Sequence, residues 1–171
     1  EKKRIMKNIK QITLISVAIV LGLVGTVKAA PPITVGPGGG YDFTNIQAAI
    51  DGATNGNIIV VADGVYTGIG NKEINFNGKA ITVRSLNGPQ NTIIDCKNSG
   101  RGFFFNSSET SDARLEGFTV RNGDNFSDNQ SGGGIYIGNS SPVIDGCIIT
   151  DNRSWKGGGI YIGAGSPTIT N

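Results

Sequence analysis

The chain has 171 residues, of which 27 are glycine, and it contains no histidine and only two cysteines. Six of its 15 Lys and Arg residues but one of its 13 Asp and Glu residues fall within the first 29 positions, so residues 30–171 carry a net charge of −3. This excludes the basic surface that binding to nucleic acid or an anionic membrane requires, and two cysteines are too few for a disulfide framework.

Residues 1–29 have the pattern of a secretory signal peptide. A basic start at Met6 leads into an apolar run from Ile12 to Val27, and a small residue, Ala29, ends the segment. This order is typical of a cleaved export signal. We expect cleavage after Ala29, a location outside the cell or at its surface, and no stable membrane insertion after cleavage. An uncleaved N-terminal anchor is the alternative.

One short helix is predicted in the N-terminal segment, residues 30–56. In the stretch DFTNIQAAIDGA, Thr44 as N-cap and Gln47 three residues later form a capping box, while Ile46 and Ile50 share one face. Because the first coil of a repeat protein has an open edge, we expect this amphipathic helix to cap it.

The clearest internal repeat is GGGIYIGNSSPVIDG (132–146) followed by GGGIYIGAGSPTITN (157–171). Ten of fifteen positions are identical, at a spacing of 25 residues. Isoleucines alternate with one tyrosine in each copy, which indicates a strand with one buried face. Three short strands in 25 residues predict one coil of a parallel β-solenoid.

The same rhythm extends backwards with looser spacing. The predicted earlier strands are Ile58–Val61, Ile74–Phe76, Ile81–Arg84, Thr92–Asp95, Gly102–Phe105 and Leu115–Val120. Two interior stacks are expected: Ile81 with Phe118 and Cys147, and Val83 with Val120 and Ile149. Ser85, Asn122 and Asp151 are expected to form one turn ladder.

These segments predict an all-β fold, a right-handed parallel β-helix of about three to four coils over residues 57–171, with one short capping helix. The second GGGIYIG copy stops before its third strand, so we expect the chain to be truncated at its C-terminus.

The order YDFTNIQAAIDGA, NIIVVADGVYTG, KAITVRSLNGPQNTIIDC and the two GGGIYIG units resembles the N-terminal part of secreted right-handed parallel β-helix proteins of the pectin-lyase-like superfamily. The resemblance covers residues 33–171 and implies fold and export. It implies function only coarsely, because that scaffold serves polysaccharide lyases, glycoside hydrolases, adhesins and structural proteins.

Catalytic residues of these enzymes have no clear counterpart in the sequence. The lyases use clustered acidic residues with a basic residue, and the hydrolases use paired aspartates with a histidine. Asp95 and Asp145 occur in similar phrases, IID and VID, but on different strands of their predicted coils. We therefore expect no catalytic site in this segment and a structural or adhesive cell-surface role. The alternative is the N-terminal part of a polysaccharide lyase or glycoside hydrolase whose active coils lie downstream.

Metal and disulfide sites are weakly indicated. The loop NGDNFSDNQS offers Asp124 and Asp128 as oxygen ligands for calcium, although its spacing matches neither an EF-hand nor a GGxGxDxUx calcium repeat. Cys96 and Cys147 lie on different predicted strands, and a bridge between them is not expected.

Three aromatic residues form the candidate binding surface. If the isoleucines of the repeat face inward, Tyr136 and Tyr161 face outward and stack one coil apart, and Trp155 precedes the second copy. Aromatic rings on a polar surface suit sugar rings, so we expect a strip that binds a polysaccharide or cell-surface glycan. The alternative is an aromatic ladder that only stabilises the sheet.

Overall fold

The computed structural model describes residues 30–127 and 130–171, and the predicted signal peptide lies outside the described residues. Within these ranges the chain forms one helix, α1 (Ile46–Gly52), and fourteen short strands. The strands in chain order are β1 (Ile33–Val35), β2 (Ile58–Val61), β3 (Gly64–Tyr66), β4 (Ile74–Asn75), β5 (Thr82–Ser85), β6 (Thr92–Asp95), β7 (Phe103–Phe105), β8 (Arg114–Glu116), β9 (Thr119–Arg121), β10 (Ile135–Ile137), β11 (Val143–Asp145), β12 (Ile148–Thr150), β13 (Ile160–Ile162) and β14 (Thr168–Thr170).

These strands form three parallel sheets that wind into a β-solenoid, which confirms the predicted fold class. Sheet A has the order β1-β2-β5-β8-β11-β14, sheet B the order β3-β6-β9-β12, and sheet C the order β4-β7-β10-β13. From β2 onward, strands three apart in the chain are neighbours, because each turn of the solenoid contributes one strand to each sheet.

The solenoid has about five turns, more than the three to four that the sequence predicts. The additional turn begins with β1, which the sequence analysis placed ahead of the repeats. Ile33 pairs with Ile59 and Val35 with Val61, so β1 is the first strand of sheet A. Its three residues are too short a run to show a period of two.

The predicted stacks are correct in one part and wrong in another. Val120 pairs with Ile149, as predicted, but Val83 pairs with Leu115 in sheet A. The predicted strand Leu115–Val120 is in fact two strands, β8 and β9, separated by a bend at Gly117, whose φ is +72°. A residue at positive φ leaves the extended conformation, so the chain turns there from sheet A to sheet B.

The predicted turn ladder of Ser85, Asn122 and Asp151 is only partly correct, because Ser85 lies in a different sheet from the strands that precede the other two residues. Asn122 and Asp151 follow the sheet B strands β9 and β12 at left-handed φ values of 56° and 54°. Ser85 ends β5 in sheet A, where its neighbour is Val61. It does not belong to the ladder. Strand β3, which the sequence analysis did not predict, is the sheet B strand between β2 and β4, and it pairs with β6 of the next turn.

The interior is filled by side chains from all three sheets. Four phenylalanines lie among the largest fully buried side chains, and their rings pack in pairs: Phe76 with Phe105 at 4.7 Å between centroids, and Phe103 with Phe118 at 5.9 Å. Aromatic burial of this kind supplies much of the driving force for folding.

Helix α1 packs against β1, β2 and β4 with Ile46, Ala49 and Ile50 fully buried, which is the capping position that the sequence predicts. Its N-cap is Asn45 and not Thr44: the Asn45 Oδ1 accepts a hydrogen bond of 2.8 Å from the Ala48 amide. Asparagine and threonine are both good N-caps, so the sequence alone did not distinguish neighbouring positions.

Candidate functional site

The outer face of sheet C carries a column of aromatic side chains. Strand register places Phe104, Tyr136 and Tyr161 directly beside one another on three successive turns, with Asn75 as the preceding member. The residues on either side of each aromatic residue point inward, because side chains alternate along a strand. We call Phe104, Tyr136 and Tyr161 the aromatic column.

The rings of the aromatic column are in contact, as the sequence predicts for the two tyrosines. Ring centroids of Tyr136 and Tyr161 lie 5.5 Å apart with an interplanar angle of 24°, and those of Phe104 and Tyr136 lie 5.0 Å apart. Neighbouring rings at this spacing stabilise one another across strands. The column therefore forms an aromatic ladder across three turns.

Each tyrosine ring leans along its strand toward the glycine two residues later. A Cβ atom added at Gly138 would lie 2.7 Å from Cε1 of Tyr136, and one added at Gly163 would lie 3.1 Å from Cε1 of Tyr161. The last glycine of each GGGIYIG unit thus leaves room for the ring of its own tyrosine.

The glycines at the start of each unit serve a different purpose. A Cβ at Gly134 would lie 2.6 Å from the carbonyl oxygen of Gly159, and both Gly134 and Ile135 donate their amides to that oxygen. Successive turns approach each other too closely at Gly134 for a side chain, whereas an added Cβ at Gly159, the matching position of the second copy, would meet only Cγ2 of Ile149, at 3.4 Å.

Arg101 covers one side of the aromatic column. Its guanidinium lies 4.9 Å from the ring centroid of Phe104 and 5.4 Å from that of Tyr136, and the residue is only 5% exposed. Arg101 is paired with Glu73 through a contact of 3.1 Å between Nε and Oε2, and it also donates to Gln130 and to the carbonyl oxygen of Ser131. Its charge is therefore paired within the protein and is almost fully buried.

A shallow depression of about 400 Å³, largely open to solvent, lies where the sheet C strands end. We call it the amide cavity, because its lining combines two asparagines with one aromatic ring and small residues: Asn106, Tyr136, Gly138, Asn139, Gly163 and Ala164. None of these residues carries a charge.

One buried carboxylate lies next to the amide cavity. Glu109 is 2% exposed and accepts hydrogen bonds from the Ser140 hydroxyl at 2.7 Å and from the amides of Ser107 and Gly78 at 2.9 Å. Ser107 follows the cavity residue Asn106, and Ser140 follows Asn139. Glu109 thus ties three successive turns together and places a negative charge behind the cavity wall.

Trp155 belongs to a separate group. Its ring centroid lies 6.0 Å from that of Phe126, and the Arg153 guanidinium lies 4.2 Å from the Phe126 ring centroid. Trp155 is 57% exposed and Phe126 is 40% exposed. The structure brings Tyr136 and Tyr161 together as predicted, and it places Trp155 with Phe126 on the loops that precede β10 and β13.

The calcium candidates are placed only in part. Asp124 accepts a hydrogen bond from the Phe126 amide at 2.9 Å and pairs with Arg153 at 3.7 Å, while Asp128 lies outside the described residues. Within residues 30–127 and 130–171, no group of three or more Cys, Asp and Glu side chains is arranged to hold a metal ion.

Asp95 and Asp145, the aspartates of the IID and VID phrases, make structural contacts. Asp95 is 2% exposed and contacts Arg121, Lys97 and Asn122. Burial alone would raise its pKa, but the hydrogen bonds from Asn122, the Lys97 amide and Arg121 outweigh it and lower the pKa to about 2. Asp145 accepts a hydrogen bond of 2.6 Å from the Thr170 hydroxyl.

Both cysteines are free thiols. Burial raises the pKa of the Cys96 thiol to about 12 and also raises the pKa of Cys147. A thiol in such surroundings stays protonated and unreactive at neutral pH.

Sequence reasoning found two of the three aromatic column residues and missed Phe104. Phe103, Phe104 and Phe105 form an uninterrupted apolar run, so the period of two that identified Tyr136 was not visible there. Only the pairing of Phe104 with Tyr136 shows which phenylalanine faces outward. The amide cavity was missed because its residues come from three separate turns.

A second depression, of about 390 Å³, lies beside the outer face of sheet A and includes Asp112 and Arg114 in its lining.

Among the described residues, no helix combines the length and apolar character needed to span a bilayer. No protein-family model matches the chain, and no curated protein matches it in sequence.

Proposed function

We propose that this protein is an exported, non-catalytic β-solenoid with a structural or adhesive role at the cell surface or outside the cell, and that it contacts carbohydrate through the outer face of sheet C. The observation that carries the proposal is the position of the aromatic column directly beside the amide cavity. Aromatic rings offer flat apolar faces on which a sugar ring can pack, and amide groups can both donate hydrogen bonds to its hydroxyls and accept them.

The rigidity of the surface supports this role. Phe104, Tyr136 and Tyr161 are fixed by strand pairing on three turns, and Arg101 holds two of the rings from one side. A surface that is already ordered loses little conformational entropy when it binds. Export rests on the signal peptide predicted over residues 1–29.

The test is retention of the full chain on immobilised polysaccharides and on a glycan array. We expect Tyr136→Ala and Tyr161→Ala each to reduce retention at least several-fold, since loss of one stacked aromatic contact removes about 1 kcal/mol. Tyr41→Ala is the matched control, because Tyr41 is also partly exposed but lies beside Gly36, away from sheet C. Retention that is unchanged in both column variants would reject carbohydrate binding at this surface.

A further inference from the structure

We infer that the amide cavity selects an uncharged oligosaccharide and holds it along the solenoid axis, across the strands. This inference rests on the proposed carbohydrate binding and adds to it the ligand's charge class and direction. Three observations carry it: the neutral lining, the carboxylate behind it, and the repetition of equivalent positions on successive turns.

The charge preference follows from the groups that surround the cavity. All six lining residues are uncharged, and the adjacent Glu109 is buried with its carboxylate on Ser107 and Ser140. Arg101, the cation beside Tyr136, is already paired with Glu73. A uronate or sulfated sugar would therefore enter without an available cation and near a buried negative charge, which is unfavourable. A neutral sugar meets neither cost.

The lining offers amide groups to a hydroxyl-rich ligand. Asn139 is exposed, and its side chain makes no hydrogen bond to another of the described residues. The Asn106 Oδ1 accepts hydrogen bonds from the Asn75 side-chain amide and from the Ser107 hydroxyl. These two contacts involve the oxygen of the Asn106 amide and not its Nδ2 hydrogens. An amide supplies both donors and an acceptor, so it can bind a sugar hydroxyl in either role.

The direction of the ligand follows from strand register. Asn106, Gly138 and Gly163 follow the paired residues Phe105, Ile137 and Ile162 and so occupy equivalent positions on three successive turns. Two steps of about 4.8 Å make this row roughly 10 Å long, parallel to the solenoid axis. A single sugar ring would contact only part of the row, whereas an extended oligosaccharide would contact all of it.

The experiment measures affinity of the full chain, by titration calorimetry, for three neutral hexasaccharides (cellohexaose, mannohexaose and xylohexaose), for hexagalacturonate and for glucose. We expect at least one neutral hexasaccharide to bind at least tenfold more tightly than hexagalacturonate and than glucose. A preference for hexagalacturonate would overturn the charge selection, and equal affinity for glucose would overturn the axial placement.

Two variants test the cavity itself. Asn139→Gly removes the amide without backbone strain, because Asn139 has a φ of +52° that glycine adopts freely. Gly138→Ala places a methyl group 2.7 Å from the Tyr136 ring and displaces it without removing it. We expect each to weaken neutral-sugar binding about three- to tenfold, the range for loss of one hydrogen bond or a misplaced contact.

Asn98→Gly is the matched control, since Asn98 is also an exposed asparagine at positive φ but follows a sheet B strand. Its affinity should equal that of the unmodified chain. Binding that requires Tyr136 and Tyr161 but is unaffected by both cavity variants would overturn this inference and leave the proposed function in place. Absence of binding to every sugar would reject both.

Discussion

The ion-paired Asp95 predicts a specific dependence of stability on pH. Its carboxylate contacts Nη2 of Arg121 at 3.0 Å and Nζ of Lys97 at 3.4 Å, and it accepts a hydrogen bond of 3.0 Å from Asn122. The pKa of Asp95 is about 2 in the folded chain, against about 3.9 for an aspartate in an unfolded chain. This difference of about two pKa units corresponds to about 2.5 kcal/mol of folding free energy.

The sign follows from the direction of the shift. Because folding lowers the pKa, the folded state binds the proton less tightly than the unfolded state, so low pH favours unfolding. The contribution of Asp95 is complete above about pH 5 and is lost as the pH falls through 4 toward 2. Asp95→Asn removes the titrating group and should therefore cost about 2.5 kcal/mol near neutral pH and under about 1 kcal/mol at pH 2.5.

The assay is urea unfolding followed by circular dichroism at pH 7, 4 and 2.5, with the variant compared with the unmodified chain at each pH. Taking the difference between the two proteins cancels the titration of all other carboxylates. Asp112→Asn is the control, because Asp112 is exposed and its side chain should change the free energy of unfolding little. If the cost of Asp95→Asn is the same at all three pH values, the reasoning about this ion pair is wrong.

Three further predictions concern the stability of the solenoid, each measured as the change in urea midpoint. Glu109→Gln replaces one carboxylate oxygen, which accepts hydrogen bonds, by an NH₂ group that faces another donor, and we expect the free energy of unfolding to fall by about 1–3 kcal/mol. A decrease below about 0.5 kcal/mol would show that the carboxylate does not hold the turns together. Ile59→Ala should cost about 2–5 kcal/mol because Ile59 is fully buried, while its exposed neighbour Ile58 should tolerate alanine at under about 1 kcal/mol; equal costs would contradict the register of β2. Gly134→Ala should cost about 1–3 kcal/mol through the close approach to the next turn, whereas Gly39→Ala, with open space around it, should be neutral.

Much of the architecture could be predicted from the repeat. The two GGGIYIG units are 25 residues apart, which determines that their strands stack in register. Each residue of one unit therefore lies beside the same residue of the next, as Tyr136 lies beside Tyr161. Period-two alternation determines which residues face inward, because a strand has only two faces.

The irregular earlier turns were harder to predict because loops of variable length interrupt the repeat. The segment Leu115–Val120 contains Gly117, which permits a bend, but the sequence does not show that the chain changes sheets there, and β1 is too short to show alternation. Their assignment depends on backbone hydrogen bonds to neighbouring turns, which are contacts between residues distant in sequence.

The sequence by itself thus determined the fold class, the helix that covers the first turn and the outward position of two tyrosines. Only the tertiary structure decided the candidate site: that Phe104 completes the aromatic column, that Trp155 belongs with Phe126, and that Asn106 and Asn139 meet in one cavity. The physical reason is that a solenoid repeats local geometry, which a sequence pattern records, whereas a site is formed by side chains that winding brings together from different turns.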